Sequence, residues 1–325
     1  MYDFQNLDEV LTNRMKMTRA GGANGPVVTR HYYKTTPGAC LSRLRSVASR
    51  CGLWVDWCRG ENSDQIAVDV PHEPRDKVSL SDVINSHAFK NATGRLPIAV
   101  GVDTLGDPII SDLADMQHIL IAGDSGTGKT TLLKSIAAGV IARNTPDTCK
   151  FMVLSPTDDG IIGDANAAYL SCSPFCGANA ATTGLCAVGI EMFRRYNILQ
   201  AAGASDIDAY NGGNMPRLVV IIDDLAELMA ISYSKASRFI LQLTQKARPV
   251  GIHIVASTIR VDGKSIPGNI KANFPTRISF HTSDASKSRQ VLDMAGAELL
   301  LPYGDAFFSD AHRIPQRIHT PYVDV

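Results

Sequence analysis

Short apolar runs alternate with helical stretches through the second part of the chain, residues 111–325. Each run is short enough for one strand, and the stretches between them carry apolar residues at helical spacing. This alternation predicts an α/β fold with a mostly parallel sheet and helices on both faces. The strands are predicted at residues 118–122, 150–154, 217–222, 252–257 and 276–280.

Residues 35–110 carry a second and weaker α/β pattern, which predicts a small separate domain. A helix is expected to begin at Thr36 and Pro37, because threonine can cap a helix and proline fits its first turn. Two apolar runs, 53–57 and 65–70, flank a polar turn and predict a β-hairpin. The predicted helix buries one face, made of Leu41, Leu44, Val47, Ala48 and Cys51.

Residues 1–34 are weakly patterned and contain the glycine-rich break GGANGP at 21–26. A segment of this kind is typical of a flexible region. We therefore expect an N-terminal tail, which could recruit another protein.

The segment GDSGTGKT at 123–130 fits the pattern G-x-x-x-x-G-K-[ST] of a phosphate-binding loop. It lies between a predicted buried strand and a predicted helix, which is the context that this motif requires. The glycines let backbone amides turn inward around phosphate oxygens, and the helix N-terminus adds partial positive charge. Lys129 is expected to reach the β- and γ-phosphates, and the Thr130 hydroxyl to bind Mg²⁺. The nucleotide-binding residues are predicted to be Gly123, Asp124, Ser125, Gly126, Thr127, Gly128, Lys129, Thr130 and Thr131.

Two carboxylates, Asp223 and Asp224, end the predicted buried strand at 217–222. In nucleotide-hydrolysing proteins, a strand that ends in acidic residues beside the phosphate loop is the Walker B element. Asp223 is expected to hold Mg²⁺, and Asp224 to polarise the attacking water. ATP and Mg²⁺ are therefore the predicted ligands.

Composition agrees with a cytoplasmic globular protein. Apolar residues make up 45% of the 325 residues, yet no apolar run approaches the length of a membrane span. The N-terminus lacks the features of a signal peptide. Seven scattered cysteines fit a reducing compartment, and Cys172 and Cys176 have no nearby partners to complete a zinc site. Because the formal net charge is zero, any contact with nucleic acid must come from a local cluster of basic residues.

From Thr36 to its end, the chain resembles the motor of the FtsK/SpoIIIE family of DNA translocases, within the wider HerA–FtsK group. The resemblance implies a RecA-like P-loop ATPase core after a small α/β domain. It also implies a homo-oligomer, a hexameric ring, around double-stranded DNA. The matching segments are 36–38 (TPG), 106–108 (GDP), 112–114 (DLA), 118–123 (HILIAG), 191–196 (EMFRRY), 245–248 (QKAR), 251–255 (GIHIV), 270–278 (IKANFPTRI) and 292–298 (LDMAGAE).

The resemblance also implies roles for single residues. Arg248 matches the family's arginine finger, which would complete the site of a neighbouring subunit, so Lys129, Asp224 and Arg248 are the expected catalytic residues. Contacts with DNA phosphates through pore loops would give a grip that is independent of sequence and sensitive to salt. The candidate DNA-binding residues are Arg260, Lys271, Lys287 and Arg289, with a solvated surface charge as the alternative for each.

Other matching residues are expected to serve the structure. His118 and His253 lie in or beside predicted strands, where a core histidine is the usual finding. Arg194 and Arg195 lie on a helix that we expect to pack inside the core.

The chain departs from the family pattern around the catalytic site. The family's Asp-Glu is Asp223-Asp224 here, and the shorter side chain lies about 1.5 Å farther from the water, a displacement that can cost ~10²-fold in rate. The family's Thr-Gln-Arg-Pro is replaced by TIRV at 258–261, so Ile259 occupies the position that senses the γ-phosphate.

Further departures lie outside the catalytic centre. The family's Asp-Pro-Lys is SPT at 155–157, and a pore-loop lysine is replaced by Ala285, two residues before Lys287. We also expect neither the membrane region nor the winged-helix module of full-length translocases. The chain thus resembles a compact, divergent relative from a mobile element or virus.

Three functions remain open at this point. The first is an ATP-driven motor that translocates or packages double-stranded DNA. The second is a secretion-coupling ATPase, and the third is a weak ATPase that switches a partner. Stimulation of ATP turnover by duplex DNA would distinguish the first from the other two.

Overall fold

The structure is a computed structural model that describes residues 3–35, 40–57, 64–72, 76–156, 160–231, 233–310 and 314–323. Strands and helices are numbered in chain order. The strands are Thr18–Asn24 (β1), Val28–Lys34 (β2), Trp54–Trp57 (β3), Gln65–Pro71 (β4), Pro97–Asp103 (β5), Pro108–Asp112 (β6), Ile119–Ala122 (β7), Cys149–Ser155 (β8), Phe175–Cys176 (β9), Arg217–Ile222 (β10), Ile252–Thr258 (β11), Thr276–Phe280 (β12), Asp305–Ser309 (β13) and Gln316–His319 (β14).

The α-helices are Phe4–Glu9 (α1), Leu41–Arg50 (α2), Leu80–Asn85 (α3), His87–Lys90 (α4), Lys129–Arg143 (α5), Ala178–Ala201 (α6), Leu225–Ile231 (α7), Tyr233–Lys246 (α8), Gly268–Lys271 (α9) and Ala285–Leu292 (α10). A π-helix at Val10–Arg14 continues α1. Short 3-10 helices cover Asp164–Tyr169, Arg248–Val250 and Ala297–Leu299.

The N-terminal part of the chain folds around a four-stranded antiparallel sheet in the order β1-β2-β4-β3. β3 and β4 form the predicted hairpin. α2 packs against β3 and buries Leu44 and Ala48 completely, as its apolar face predicted. The helix start expected at Thr36 and Pro37 lies outside the described residues.

The N-terminal segment is not the flexible tail that the sequence predicted. α1 buries Leu7 in the core of the small sheet, β1 and β2 form two of its strands, and Tyr33 of β2 is fully buried. Its weak pattern has a physical cause, because almost every side chain of the edge strand β1 is exposed. A strand without a buried face does not need apolar and polar residues to alternate along it.

The larger sheet has ten strands in the order β6-β5-β14-β13-β12-β7-β11-β10-β8-β9. Neighbours from β12 to β9 are parallel, and the remaining pairs are antiparallel. All five predicted strands are present, as β7, β8, β10, β11 and β12, which confirms the mostly parallel α/β fold. The sheet also extends back before residue 111, because Val102 of β5 pairs with His319 of β14.

Helices cover both faces of this sheet. Successive side chains of a strand point to opposite faces. On β10, Val219 packs in the same cluster as Ile136 of α5, whereas Val220 packs with Leu185 of α6 and Ile240 of α8. Within the described part of the chain, no helix is both long enough and apolar enough to cross a membrane.

Candidate nucleotide-binding site

The segments predicted to bind phosphate and metal meet at one edge of the larger sheet. β7, β11 and β10 are parallel neighbours, so their carboxyl ends lie side by side. The phosphate loop (residues 123–130) follows β7, the pair Asp223 and Asp224 follows β10, and Ser257 lies near the end of β11. Ligand sites of α/β proteins are usually found at this edge.

The phosphate loop adopts a turn that its glycines permit. Gly126 and Gly128 have φ angles of 75° and 119°, in the left-handed region where other residues are strained. Gly128 is also the N-cap of α5. The loop therefore leads directly into a helix N-terminus, where free backbone amides favour an anion.

Lys129 is buried. It is the first residue of α5, and its ammonium donates hydrogen bonds to the carbonyls of Gly123 at 3.0 Å and Asp124 at 2.8 Å. Burial lowers the pKa of Lys129, and the carboxylates of Asp224, Asp223 and Asp124 oppose that shift. The side chain thus folds back over the loop whose ligand it is expected to neutralise.

Asp223 is joined by hydrogen bonds to the phosphate loop and to β11. The Thr130 hydroxyl donates to its Oδ2 at 3.2 Å, and the Ser257 hydroxyl donates to its Oδ1. Thr130 and Asp223 therefore offer two oxygens in one place. Oxygen ligands of this kind fit Mg²⁺, which is a hard cation.

Asp224 has a left-handed backbone, with a φ of 53°. Its amide donates to the Ser257 hydroxyl at 3.0 Å, and its Oδ1 accepts a hydrogen bond from the Glu227 amide at 3.2 Å. Asp224 therefore caps the first turn of α7 while its side chain lines the same cavity as the phosphate loop.

Ser257 was missed by the sequence reasoning, although it contacts both carboxylate residues. The signal was available in the strand register. Ile222 pairs with Ala256 in the parallel ladder, which puts the next residues, Asp223 and Ser257, beside each other. A serine in the apolar strand β11, in register with the acidic residue that follows β10, was the signal that could have identified this position.

A cavity of about 810 Å³ opens between the phosphate loop and the C-terminal part of the chain, within the 300–1,000 Å³ usual for ligand pockets. Its lining includes the polar residues Lys129, Asp223 and Asp224. It also includes two tyrosines, Tyr303 and Tyr322, here called the aromatic pair, and the Lys77 ammonium lies 5.3 Å from the centroid of the Tyr322 ring. Sequence reasoning missed the aromatic pair, because both tyrosines are far from the motif along the chain.

The four candidate DNA-binding residues fall into two groups. Arg260 and Arg289 are exposed, Arg260 just beyond the end of β11 and Arg289 on α10. Lys271 instead donates to the Gln290 carbonyl at 2.7 Å and lies 3.9 Å from an Asp293 carboxylate oxygen.

Lys287 lies beside the phosphate loop. Its ammonium is 3.3 Å from Oδ1 of Asp124. His281 Nδ1 is 3.9 Å from Oδ2 of the same aspartate. The amide of Asp124 also donates to the His281 carbonyl at 2.9 Å. α10 is thus linked to the nucleotide site through Lys287.

Arg248 lies at the opposite edge of the larger sheet. It begins the 3-10 helix that precedes β11, whereas the phosphate loop follows β7, the parallel neighbour of β11. β11 has seven residues, and a strand of that length separates the two edges by about 20 Å. At that separation, Arg248 lies too far from the phosphate loop of its own chain to contact it. Its side chain is exposed.

The two candidate core histidines are buried completely, as predicted. His118 Nδ1 accepts a hydrogen bond from the Ile254 amide at 3.0 Å. Burial lowers the pKa of His118 to about 4 and that of His253 to about 3. Both side chains are therefore neutral at physiological pH.

Known proteins similar to this chain share its sequence motifs and its fold. Residues 79–215, which include the phosphate loop, match the sequence model of the FtsK/SpoIIIE family. Over 298 residues, 87% of this chain, the sequence is 35% identical to the DNA translocase SftA of Bacillus subtilis. Residues 79–215 of this chain therefore belong to the FtsK/SpoIIIE family. The aligned part of the chain spans 31% of the length of SftA.

Two solved structures share the fold of this chain. The cytoplasmic domain of the type VII secretion ATPase EccC of Thermomonospora curvata aligns with a TM-score of 0.66 and 18% identity, over 76% of this chain and 32% of that chain. The pCW3 conjugation coupling protein TcpA, in a monomer form with ATPγS, aligns with a TM-score of 0.65 and 18% identity, over 99% of this chain and 93% of that chain. These likenesses establish a shared P-loop ATPase fold.

Proposed function

We propose that this protein is an ATPase that moves double-stranded DNA and acts as a ring. The observation that carries the proposal is the meeting of the phosphate loop, through Thr130, with Asp223 and Asp224 at one cavity. The 35% identity to a DNA translocase supports DNA as the substrate that is moved.

The lining of the cavity supports one orientation of ATP. The phosphates would lie against the N-terminus of α5. There Lys129 would exchange its two carbonyl partners for oxygens of the β- and γ-phosphates. The base would lie against the Tyr322 ring, because a flat π-system gains from stacking on an aromatic side chain.

Thr130 and Asp223 would hold Mg²⁺, which neutralises charge on the phosphates when it is bound. Asp224 would orient the attacking water and accept its proton. Ser257 holds both acidic residues through its hydroxyl. Their relative position would therefore be fixed before ATP enters, so that little reorganisation is needed during the reaction.

Arg248 would act in a neighbouring subunit. Its place at the edge opposite to its own phosphate loop supports a role in trans, since a ring brings the edge of one subunit against the site of the next. A guanidinium supplied in this way stabilises charge on the transferring phosphoryl group. We propose a hexamer on the resemblance to the family.

Arg260 and Arg289 are the DNA contacts that the structure favours, because both are exposed. The DNA-binding roles of Lys271 and Lys287 stay predictions, and the bonds to Gln290 and Asp124 give these lysines structural roles as well. In a chain of zero net charge, a few arginines repeated around a ring would supply the grip.

The experiment that tests this function is the rate of ATP hydrolysis with and without linear duplex DNA. We expect strong stimulation in the wild type, and loss of that stimulation but not of basal hydrolysis in the Arg260→Ala/Arg289→Ala variant. The variant should also flatten the plot of log affinity against log salt by about 0.9 for each phosphate contact removed.

The variant Arg14→Ala/Arg50→Ala is a matched control. It removes two exposed arginines from the small N-terminal unit, so both charge variants have the same net charge. Stimulation should survive in this control. If duplex DNA does not stimulate the wild type, the DNA motor is the wrong function, and a secretion-coupling ATPase or regulatory switch takes its place.

A further inference from the structure

The backbone that carries Arg248 accepts hydrogen bonds from outside, from α6, from the loop after α6 and from β10. We call residues 246–251 the Arg248 segment. The Tyr196 hydroxyl donates to the Lys246 carbonyl at 2.6 Å, and Arg195 Nη1 donates to the Val250 carbonyl at 3.0 Å. The Ile207 amide donates to the Pro249 carbonyl at 2.8 Å, and the Leu218 amide to the Gly251 carbonyl at 2.8 Å.

Two of these donors are consecutive residues of α6, and Arg195 is the unusual one. Its side chain is only 4% exposed. Its Nε donates to Glu191 Oε1 at 2.8 Å, one helical turn earlier. Burial lowers the pKa of Arg195, and the hydrogen bond to Glu191 opposes that shift. A buried guanidinium costs free energy to desolvate, and an apolar side chain of similar size would often be as stable. Burial of the charge alone therefore gives no reason for an arginine here.

The geometry gives a reason for an arginine at this position, because the same guanidinium makes a second hydrogen bond. Arg195 ties α6 to the Val250 carbonyl, two residues beyond Arg248 in sequence. Val250 belongs to the single 3-10 turn that Arg248 begins. So short a turn, exposed at Arg248, has few internal bonds to fix its direction. An outside donor on one of its carbonyls limits how that turn can rotate.

We propose that Arg195, held by Glu191, is a positioning residue for the arginine finger. It sets the backbone from which Arg248 projects toward the neighbouring subunit, and it does not itself contact ATP. The inference rests on the proposed role of Arg248 in trans.

Arg194 provides a matched comparison on the same helix. It donates to both oxygens of Glu191 at 2.7 Å, so it shares the acidic partner of Arg195. Its side chain is 55% exposed, whereas that of Arg195 is buried. A variant at Arg194 removes a charge and a Glu191 contact without touching the bond to Val250.

The experiment compares Arg195→Met, Arg194→Met, Arg248→Ala and the double variant Arg195→Met/Arg248→Ala in DNA-stimulated ATP hydrolysis, with thermal unfolding of each. Displacement of a catalytic group by about 1 Å can cost ~10²-fold in rate. We therefore expect Arg195→Met to lower kcat by about 10- to 100-fold with KM unchanged. Arg194→Met should retain kcat, and the double variant should be no slower than Arg248→Ala alone.

Glu191→Gln is a second variant that tests the positioning role if Arg195→Met does not fold. It keeps the guanidinium but weakens its anchor, so kcat should fall by a smaller factor, again with KM unchanged. Arg195→Lys retains the charge with a single donor group and should recover part of the lost rate.

Two results would overturn the inference. One is a double variant that is slower than Arg248→Ala by the full factor of Arg195→Met, because Arg195 would then act independently of the finger. The other is a kcat unchanged in folded Arg195→Met and in Glu191→Gln. A different result, an unchanged kcat in Arg248→Ala itself, would instead reject the proposed finger, and the positioning role with it.

Discussion

Asp224 has two roles that a substitution can separate. Asparagine caps helices about as well as aspartate, so Asp224→Asn should keep the bond to the Glu227 amide and the fold. It should also keep ATP binding. Loss of the carboxylate should lower turnover by about 10²- to 10⁴-fold, measured under saturating ATP.

Asp224→Glu tests whether the reach of the carboxylate limits the rate. Glutamate restores the family's side-chain length, so turnover should hold or rise, while the loss of the α7 cap should cost about 1 kcal/mol of stability. A large fall in turnover would mean that the site is built around aspartate, or that Glu227 is the base.

Ser257→Ala should affect both acidic residues at once. The change removes the hydroxyl that donates to Asp223 and leaves the Asp224 amide without its acceptor. An unsatisfied buried donor costs about 1–3 kcal/mol of stability. We expect reduced turnover and a lower unfolding temperature. Ser279→Ala is the control, since Ser279 is equally buried on β12 and bonds to the Phe280 carbonyl. Equal turnover in both variants would exclude a role for Ser257.

Motif spacing predicted Lys129, Thr130, Asp223 and Asp224, because these residues lie in or directly after local sequence patterns. The positions of Ser257 and of the aromatic pair, Tyr303 and Tyr322, come from the packing of distant segments, which no local sequence pattern shows. The burial of Lys129 has the same origin, since it depends on how the side chain folds back over its own loop.

The stability of the larger sheet should depend on pH because of two buried histidines, His118 just before β7 and His253 in β11. Both native pKa values, about 4 and about 3, lie below the value of about 6.5 in an unfolded chain. As the pH falls below 6.5, the unfolded chain binds protons that the native protein does not. The free energy of unfolding should therefore fall toward pH 4, by about 1.4 kcal/mol per pH unit for each histidine.

The measurement for this prediction is urea unfolding between pH 7 and pH 4. His253→Leu should flatten the slope by about one proton. Equal slopes in the wild type and His253→Leu would mean that the buried histidine binds its proton in the native state.

Element prediction succeeded where a buried face imposed a pattern. β10 and β11 are buried throughout, and their continuous apolar runs gave the strands of the larger sheet. It failed in residues 1–34, because the exposed edge strand β1 has no such face. The antiparallel edge of the larger sheet was also missed, since pairing between β5 and β14 joins residues more than two hundred positions apart.

For the whole molecule, the position of Arg248 predicts recovery of activity in mixed rings. Rings of Lys129→Ala subunits alone should be inactive, and rings of Arg248→Ala subunits alone should retain only a small residual activity. A ring that contains both has some interfaces with an intact phosphate loop and an intact finger, so part of the activity should return. Subunits shown to co-assemble but without recovery would argue against the role in trans.

If ATP hydrolysis at this site moves double-stranded DNA, the moving protein should displace a third strand from the duplex. A short oligonucleotide is bound as a triplex near one end of a linear duplex, and its release is followed after ATP is added. The wild type should release the third strand with ATP but not with ATPγS, and Lys129→Ala should not release it at all. Wild-type protein that binds the duplex and hydrolyses ATP, yet leaves the triplex intact, would contradict the account.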